Sequence, residues 1–326
     1  MQICRQLALL TAKYLLAPEE AYTIALEQQS SPMHPIVAKL RVGVSRMTAM
    51  IYAADHGNID MIKSLGTNDL CGSRVWYQLC EKAAARGNLA ALRLLQQLGL
   101  IHESRVCAAA AKGGHLAVLQ WLRLHGCPWN SDTCGLAAEK GHLDVLQWAR
   151  ANGCLWDSYV CSWAAGSGHL HVLEWARANG CPWNEDTCRQ AASYGRLDVL
   201  QWARANGCPW DERTCTSAAL GGHLAVLQWA HANGCLWNES TCGWAAHRGH
   251  LEVLQWLRAN GCPWDEGTCA GAAFGHLDVL KWARANGCPW DWHTCEHAWE
   301  GGHVDVLEWT AANGCPCGGR FHDPKK

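Results

Sequence analysis

The stretch GHLDVLQWARANGCLWDSYVCSWAA, residues 141–165, decides the fold. Leu143, Val145, Leu146, Trp148 and Ala149 are apolar, while Asp144, Gln147 and Arg150 recur at every third position. That pattern is a helix with a wide buried stripe and one solvated edge, and alternation of period two fails at once. Gly153 ends the helix, because glycine accepts left-handed backbone at no steric cost. Asp157 follows the loop tryptophan as a strong N-cap, and a second helix runs on to Ala164-Ala165.

The same line recurs along the chain. The residue after the fixed glycine is Asn58, Asn88, His115, His142, His169, Arg196, His223, His250, His276 and His303. The spacing is 30, then 27 at every step from Asn88 to His250, then 26, then 27. Ten units therefore cover residues 47–316. Pro128, Pro182, Pro209, Pro263, Pro289 and Pro316 follow the helix-ending glycines and stop the helix from continuing. Asn130, Asn184, Asp211, Asn238, Asp265 and Asp291 repeat the N-cap of Asp157, with Thr133 and its equivalents as an alternative cap. Acidic first turns such as Glu185-Asp186 suit the helix dipole. The loop tryptophan and the fourth helical residue, Trp129 and Cys134 for example, stand where a hydrophobic staple forms. The pair Ala137-Ala138 and its copies let this helix approach its neighbours closely. Neither helix can bury its stripe alone, so the units must stack into an all-α helix-turn-helix solenoid. Composition agrees: 20 Trp and 20 Cys beside two Phe and six Tyr is the signature of one unit copied many times.

At Gly141-His142-Leu143-Asp144-Val145-Leu146 the chain resembles the second-helix signature of ankyrin repeats. Asn152-Gly153-Cys154 is similar to the family's closing Asn-Gly-Ala, and the Ala-Ala pair before the glycine is shared. The resemblance covers about four-fifths of the chain. It departs from the family in length, since family repeats have about 33 residues and a projecting β-hairpin. Here Thr-Cys replaces Thr-Pro and the hairpin has no room, so β-hairpins lost or much reduced are expected. Such shortened Trp- and Cys-rich arrays resemble those of unicellular eukaryotes, algae and large DNA viruses. The resemblance implies a non-catalytic scaffold or adaptor that binds another protein, as a monomer, along the variable face of the array.

Residues 1–46 read as an N-terminal helical segment, a degenerate cap for the array, and 317–326 as a disordered tail. Ile3, Leu7, Leu10 and Tyr14 share one helical face, and the apolar run is broken by Lys13, so an amphipathic helix is expected in place of a secretory signal. A cytoplasmic, nuclear or host-cell cytoplasmic location follows, and with it reduced cysteines. Pro18 suits the first turn of a helix over Pro18–Glu27. Pro18, Glu19 and Ile24 carry a weak likeness to an F-box, which would make a ubiquitin-ligase substrate-recognition subunit the alternative, although its leading Leu-Pro is absent.

Three residue types invite chemistry. Cysteines six residues apart, such as Cys127 and Cys134, suggest zinc when combined with a nearby histidine. Zinc wants two short-spaced pairs or four converging ligands, and Met50 and Leu100 occupy the same slots, so the cysteines are expected to be buried, metal-free thiols. The histidine slot also holds Arg196, Asn58 and Asn88, which fits a polar residue bonding the inter-helix turn better than a base. Two tryptophan series, Trp148 and its copies on the helix and Trp129 and its copies in the loop, are expected in the core. The variable slots differ: Tyr159, Trp163, Tyr194, Arg213, Trp244, His247, Arg248, Phe274, Trp292 and His293 stand where other units carry unrelated residues. Fixed slots specify the fold and variable ones can specify a partner, and aromatics and Arg most often carry binding energy. A net charge of -2 argues against a nucleic-acid partner, and no apolar run is long enough for a membrane span. No phosphate loop, nucleophile elbow or carboxylate pair stands out, so neither enzyme activity nor a cofactor is expected.

Overall fold

A glycine after every helix divides each sequence unit into a helical pair. A computed structural model describes residues 74–317 apart from 98 and 102. Eighteen helices and no strand occur among the described residues. The expected helices over Pro18–Glu27 and the first residues, the F-box likeness, the cap over 1–46 and the first units before residue 74 lie outside them, as do residues 318–326.

The chain divides into two compact units, Met1–Leu155 and Trp156–Lys326. The first contains α1 (Arg74–Ala85), α2 (Leu89–Gln97), α3 (Ser104–Lys112), α4 (Leu116–Leu124), α5 (Ser131–Glu139) and α6 (Leu143–Ala151). The second contains α7 (Ser158–Ser167), α8 (Leu170–Ala178), α9 (Glu185–Ser193), α10 (Leu197–Ala205), α11 (Glu212–Leu220) and α12 (Leu224–Ala232). It continues with α13 (Glu239–His247), α14 (Leu251–Ala259), α15 (Glu266–Ala272), α16 (Leu277–Ala285), α17 (Trp292–Glu300) and α18 (Val304–Ala312). Odd-numbered helices are the first, or A, helix of each repeat and even-numbered ones the second, or B, helix.

Both helix ends are closed by backbone bonds around a left-handed glycine. Gly153 has φ +84; its N–H donates to Arg150 O at 3.1 Å and that of Cys154 to Ala149 O at 3.0 Å. This is the Schellman arrangement, and it satisfies carbonyls that the helix end would otherwise orphan. The A helix ends the same way, with His142 N–H donating to Ala137 O at 2.9 Å. At the N-termini the aspartates act as expected: Asp157, Asp211 and Asp291 accept from the backbone N–H two residues on. Asn130 and Asn184 hold the same extended backbone without a side-chain cap bond. Thr133, the alternative cap, is instead the buried third residue of α5.

Within each unit the A helices pack on one another, α1 on α3 on α5 and α7 through α17 in order. Their Ala pairs, such as Ala191-Ala192, are wholly buried, which allows the close approach. The B helices contribute the large core side chains, Leu119, Leu146, Leu173 and Leu200. Among the described residues no hairpin joins the repeats: the loop Cys127-Pro128-Trp129-Asn130 leads straight into α5.

The tryptophans are a correction to the sequence reading. Both series are half-buried and lie at the edge of the core. Each loop ring stands edge-on to the next B-helix ring, as in Trp129–Trp148 at 5.8 Å and Trp210–Trp229 at 5.9 Å. The guanidinium of Arg123, Arg177, Arg204, Arg258 and Arg284 covers the other face of the loop ring, as Arg177 does 4.0 Å above Trp183. The same guanidinium donates to the loop cysteine carbonyl, Arg177 to Cys181 O. His231 takes this place in its own repeat and stacks on Trp237 at 3.5 Å. A B-helix cation, a loop ring and the next B-helix ring therefore form one outer seam between repeats.

The histidine slot is polar for the expected reason, but it reaches further than expected. His223 Nε2 lies 3.1 Å from Ser193 O and His276 Nε2 3.1 Å from His247 O, both at the A-helix end of the preceding repeat. Arg196 does the same through Nε, donating to Gly166 O at 3.2 Å.

Candidate interaction surface

With tryptophan, histidine and cysteine consumed by the repeat, the variable positions stand out. All ten proposed partner-binding residues fall on or beside the A helices of the second unit, in three rows. Tyr159, Arg213, Trp292 and His293 lie at A-helix N-termini, Trp163 and Trp244 at mid-helix, and Tyr194, His247, Arg248 and Phe274 at the C-terminal ends.

The structure joins some of them. Trp244, 44% exposed, stands edge-on to His247 at 5.4 Å. His247 meets Phe274 at 4.7 Å, and Phe274 meets His297 at 4.5 Å. His293 lies 6.4 Å from His297 and stacks on Trp292 at 3.8 Å. Six rings on or just beyond three consecutive A helices, α13, α15 and α17, thus form a connected run. His297 was missed by the sequence reading, although it fills the same slot as Trp163 and Trp244. Its Nδ1 lies 3.0 Å from Ala270 O, which fixes the ring. Burial first, then the neighbouring Arg248 and histidines, hold the His247 imidazole below its usual pKa.

The remaining residues stand apart from that run. Tyr159 and Trp163 pair with each other at 5.9 Å, Tyr159 exposed and Trp163 half-buried. Tyr194 is 60% exposed and lies over Gly166, where an added β-carbon would come within 3.3 Å of its ring. Arg213 is ion-paired to Asp211 at 2.8 Å, so its charge is held at the start of α11. Arg248 is exposed at the end of α13.

The cysteines pair differently from the six-residue spacing seen in the sequence. From Cys107 to Cys269 the A-helix cysteine meets the loop cysteine at the other end of its own repeat, as Cys215 does with Cys235, its Sγ reaching Cys235 O at 3.8 Å. The loop thiol in turn donates to the N-cap carbonyl 24 residues earlier, Cys235 to Asp211 O at 3.3 Å. Sixteen described cysteines are buried thiols. The expectation of thiols throughout fails at one place: Cys295 and Cys317 are bonded as a disulfide with Cα atoms 5.6 Å apart. The segment after α18 brings Cys317 back onto α17, which the sequence spacing of the regular repeats does not foretell.

No helix among the described residues is long and apolar enough to cross a membrane. A family model described as ankyrin repeats in many copies matches residues 215–258. Among solved structures, the ankyrin repeat domain of human ASB11 is similar, at 20% identity with a TM-score of 0.44, covering 56% of this chain and 98% of that one. No curated protein matches the chain. Ankyrin repeats are protein–protein interaction domains and are typically non-catalytic. The residues matched at 215–258 fill the same fixed slots as the units before and after them, so the similarity to ankyrin repeats found there recurs along the array in units spaced mostly 27 residues apart.

Proposed function

We propose that the chain is a non-catalytic adaptor or scaffold that holds a partner protein against the variable A-helix side chains of its second unit. The observation that carries this reading is the connected ring run from Trp244 through His247, Phe274 and His297 to His293 and Trp292. The repeat does not ask for these rings, since other repeats carry Leu136, Gln190 or Ser217 in the slot of Trp244. Rings held by neighbouring rings lose little side-chain freedom when a partner covers them, so few contacts give useful affinity. A net charge of -2 favours a protein over a nucleic acid.

The test compares two variants on the same partner, identified by proximity cross-linking from a photoreactive residue placed at position 244. Trp244→Ala combined with Trp292→Ala is expected to weaken that partner's affinity more than tenfold, with stability changed by no more than about 0.5 kcal/mol for each exposed position. Leu254→Ala, in the core, is expected to lower stability by about 2–5 kcal/mol while the folded fraction still binds. Full affinity in the double variant would reject the surface.

A further inference from the structure

The last described repeat departs from the others at one sulfur. From Cys127 to Trp290 the loop after a B helix reads Cys-Pro-Trp or Cys-Leu-Trp, and the tryptophan joins the outer seam. After α18 the same loop reads Cys315-Pro316-Cys317. Cys317 thus stands where the other repeats carry their loop tryptophan, but its side chain is only 5% exposed and turns inward to Cys295 on α17. Cys295 and Cys315 are the ordinary A-helix and loop cysteines of this repeat. The exchange therefore adds a third sulfur to an existing pair, and the three Sγ atoms all lie within 4.8 Å of one another. Trp290 packs against the group.

We infer that this trio, once its disulfide is reduced, is a binding site for one soft metal ion, monovalent copper, held by the three thiolates of Cys295, Cys315 and Cys317. The donor set decides the metal. No histidine or carboxylate shares the group, so a tetrahedral structural zinc would lack its fourth protein ligand. Thiolate-only donors select soft ions such as monovalent copper. Burial keeps hard competing ligands away, and the slight exposure of Cys315 and Cys317 leaves the ion an entry path. The balance is simple. A phosphine supplies the two electrons that open the Cys295–Cys317 bond and becomes its oxide with oxygen from water. The two sulfurs take up protons, and the thiols release theirs to solvent when copper binds.

The experiment uses the full chain, reduced with a phosphine under anaerobic conditions and freed of it, then titrated with monovalent copper held by a coloured competing chelator. The comparison is Cys317→Trp, which restores the loop of the other repeats and keeps every other cysteine. The unchanged chain is expected to withdraw one more equivalent of copper than the variant, and X-ray absorption of the one-equivalent complex to report three sulfur neighbours. Equal uptake by the two proteins would overturn the inference, because copper would then sit on the sulfur pairs of the earlier repeats. So would no uptake, or only two sulfur neighbours. If Cys317→Trp loses its helical far-ultraviolet spectrum, Cys317→Ser takes its place with the same expected and overturning results.

Discussion

The imidazole of His223 fills the space in which Gly195 would carry a side chain: a β-carbon there would lie 2.6 Å from its Nδ1. The glycine serves two ends at once, since it also holds φ +70 to close the preceding A helix. Gly195→Ala should therefore cost more than the left-handed backbone term alone. Gly207 supplies the comparison, with φ +82 and open space around it. Gly207→Ala is expected to cost about 1–2 kcal/mol, and Gly195→Ala about 1–3 kcal/mol beyond that from overpacking against the ring. Equal losses in urea denaturation would show that the histidine moves aside freely.

The histidine itself should be replaceable by one residue type. Arg196 occupies the same slot and bridges to Gly166 O as His223 bridges to Ser193 O. His223→Arg is expected to keep stability within about 0.5 kcal/mol, as for substitutions that retain their contacts. His223→Ala leaves a partly buried carbonyl without its partner and is expected to cost about 1–3 kcal/mol. Thermal melts of the two variants separate the outcomes, and an Arg variant as damaged as the Ala one would remove the bridging role.

Trp183 and Trp202 stand 6.0 Å apart with their planes at 68°, and Arg177 covers Trp183 from the other side. Edge-to-face rings contribute about 0.5–1.5 kcal/mol beyond the area they bury. A double-mutant cycle over Trp183→Ala and Trp202→Ala should return a coupling of that size. Additive effects, within about 0.3–0.5 kcal/mol, would mean that the seam is two independent burials and not a contact.

These relationships mark where the sequence was readable. The helix periods at Leu143, Val145 and Leu146, the stops at Gly141 and Gly153 and the caps at Asp157 and Asp211 are local features, and each forms as the spacing implies. The tryptophans were misplaced because Trp148 shares the apolar stripe of Leu146, and period alone does not separate a ring at the stripe's edge from a side chain at its centre. The histidine slot was recognisable as polar, but its acceptor sits in the preceding repeat, a distance that no local pattern encodes. The same is true of the proposed surface. Its candidate residues could be chosen by their variability, whereas the link from Phe274 to His297 depends on how adjacent A helices stack. The Cys295–Cys317 bond depends on the path of the chain after the last helix, which has no counterpart among the repeats.

Buried thiols give the array a limit on the alkaline side. Burial is the main force that pushes the Cys80 thiol from its ordinary 9.0 up to about 12, with Cys127 and Glu81 adding to it. Cys242 and Cys269 are likewise held above the ordinary range, each by contact with its partner sulfur and by burial. In the unfolded chain these groups lose their protons near 9.0, while in the folded chain Cys80 keeps its proton up to about 12. Over that window the unfolded state binds fewer protons than the folded one, so stability falls as pH rises. Below 9.0 both states hold the proton and the contribution is fully present. Each such thiol adds a slope of at most about 1.4 kcal/mol per pH unit. Urea denaturation in steps across that window is expected to show the decline, and Cys80→Val is expected to make it shallower by up to one thiol's share. An unchanged slope in the variant would mean that Cys80 ionises as readily in the folded chain as in the unfolded one.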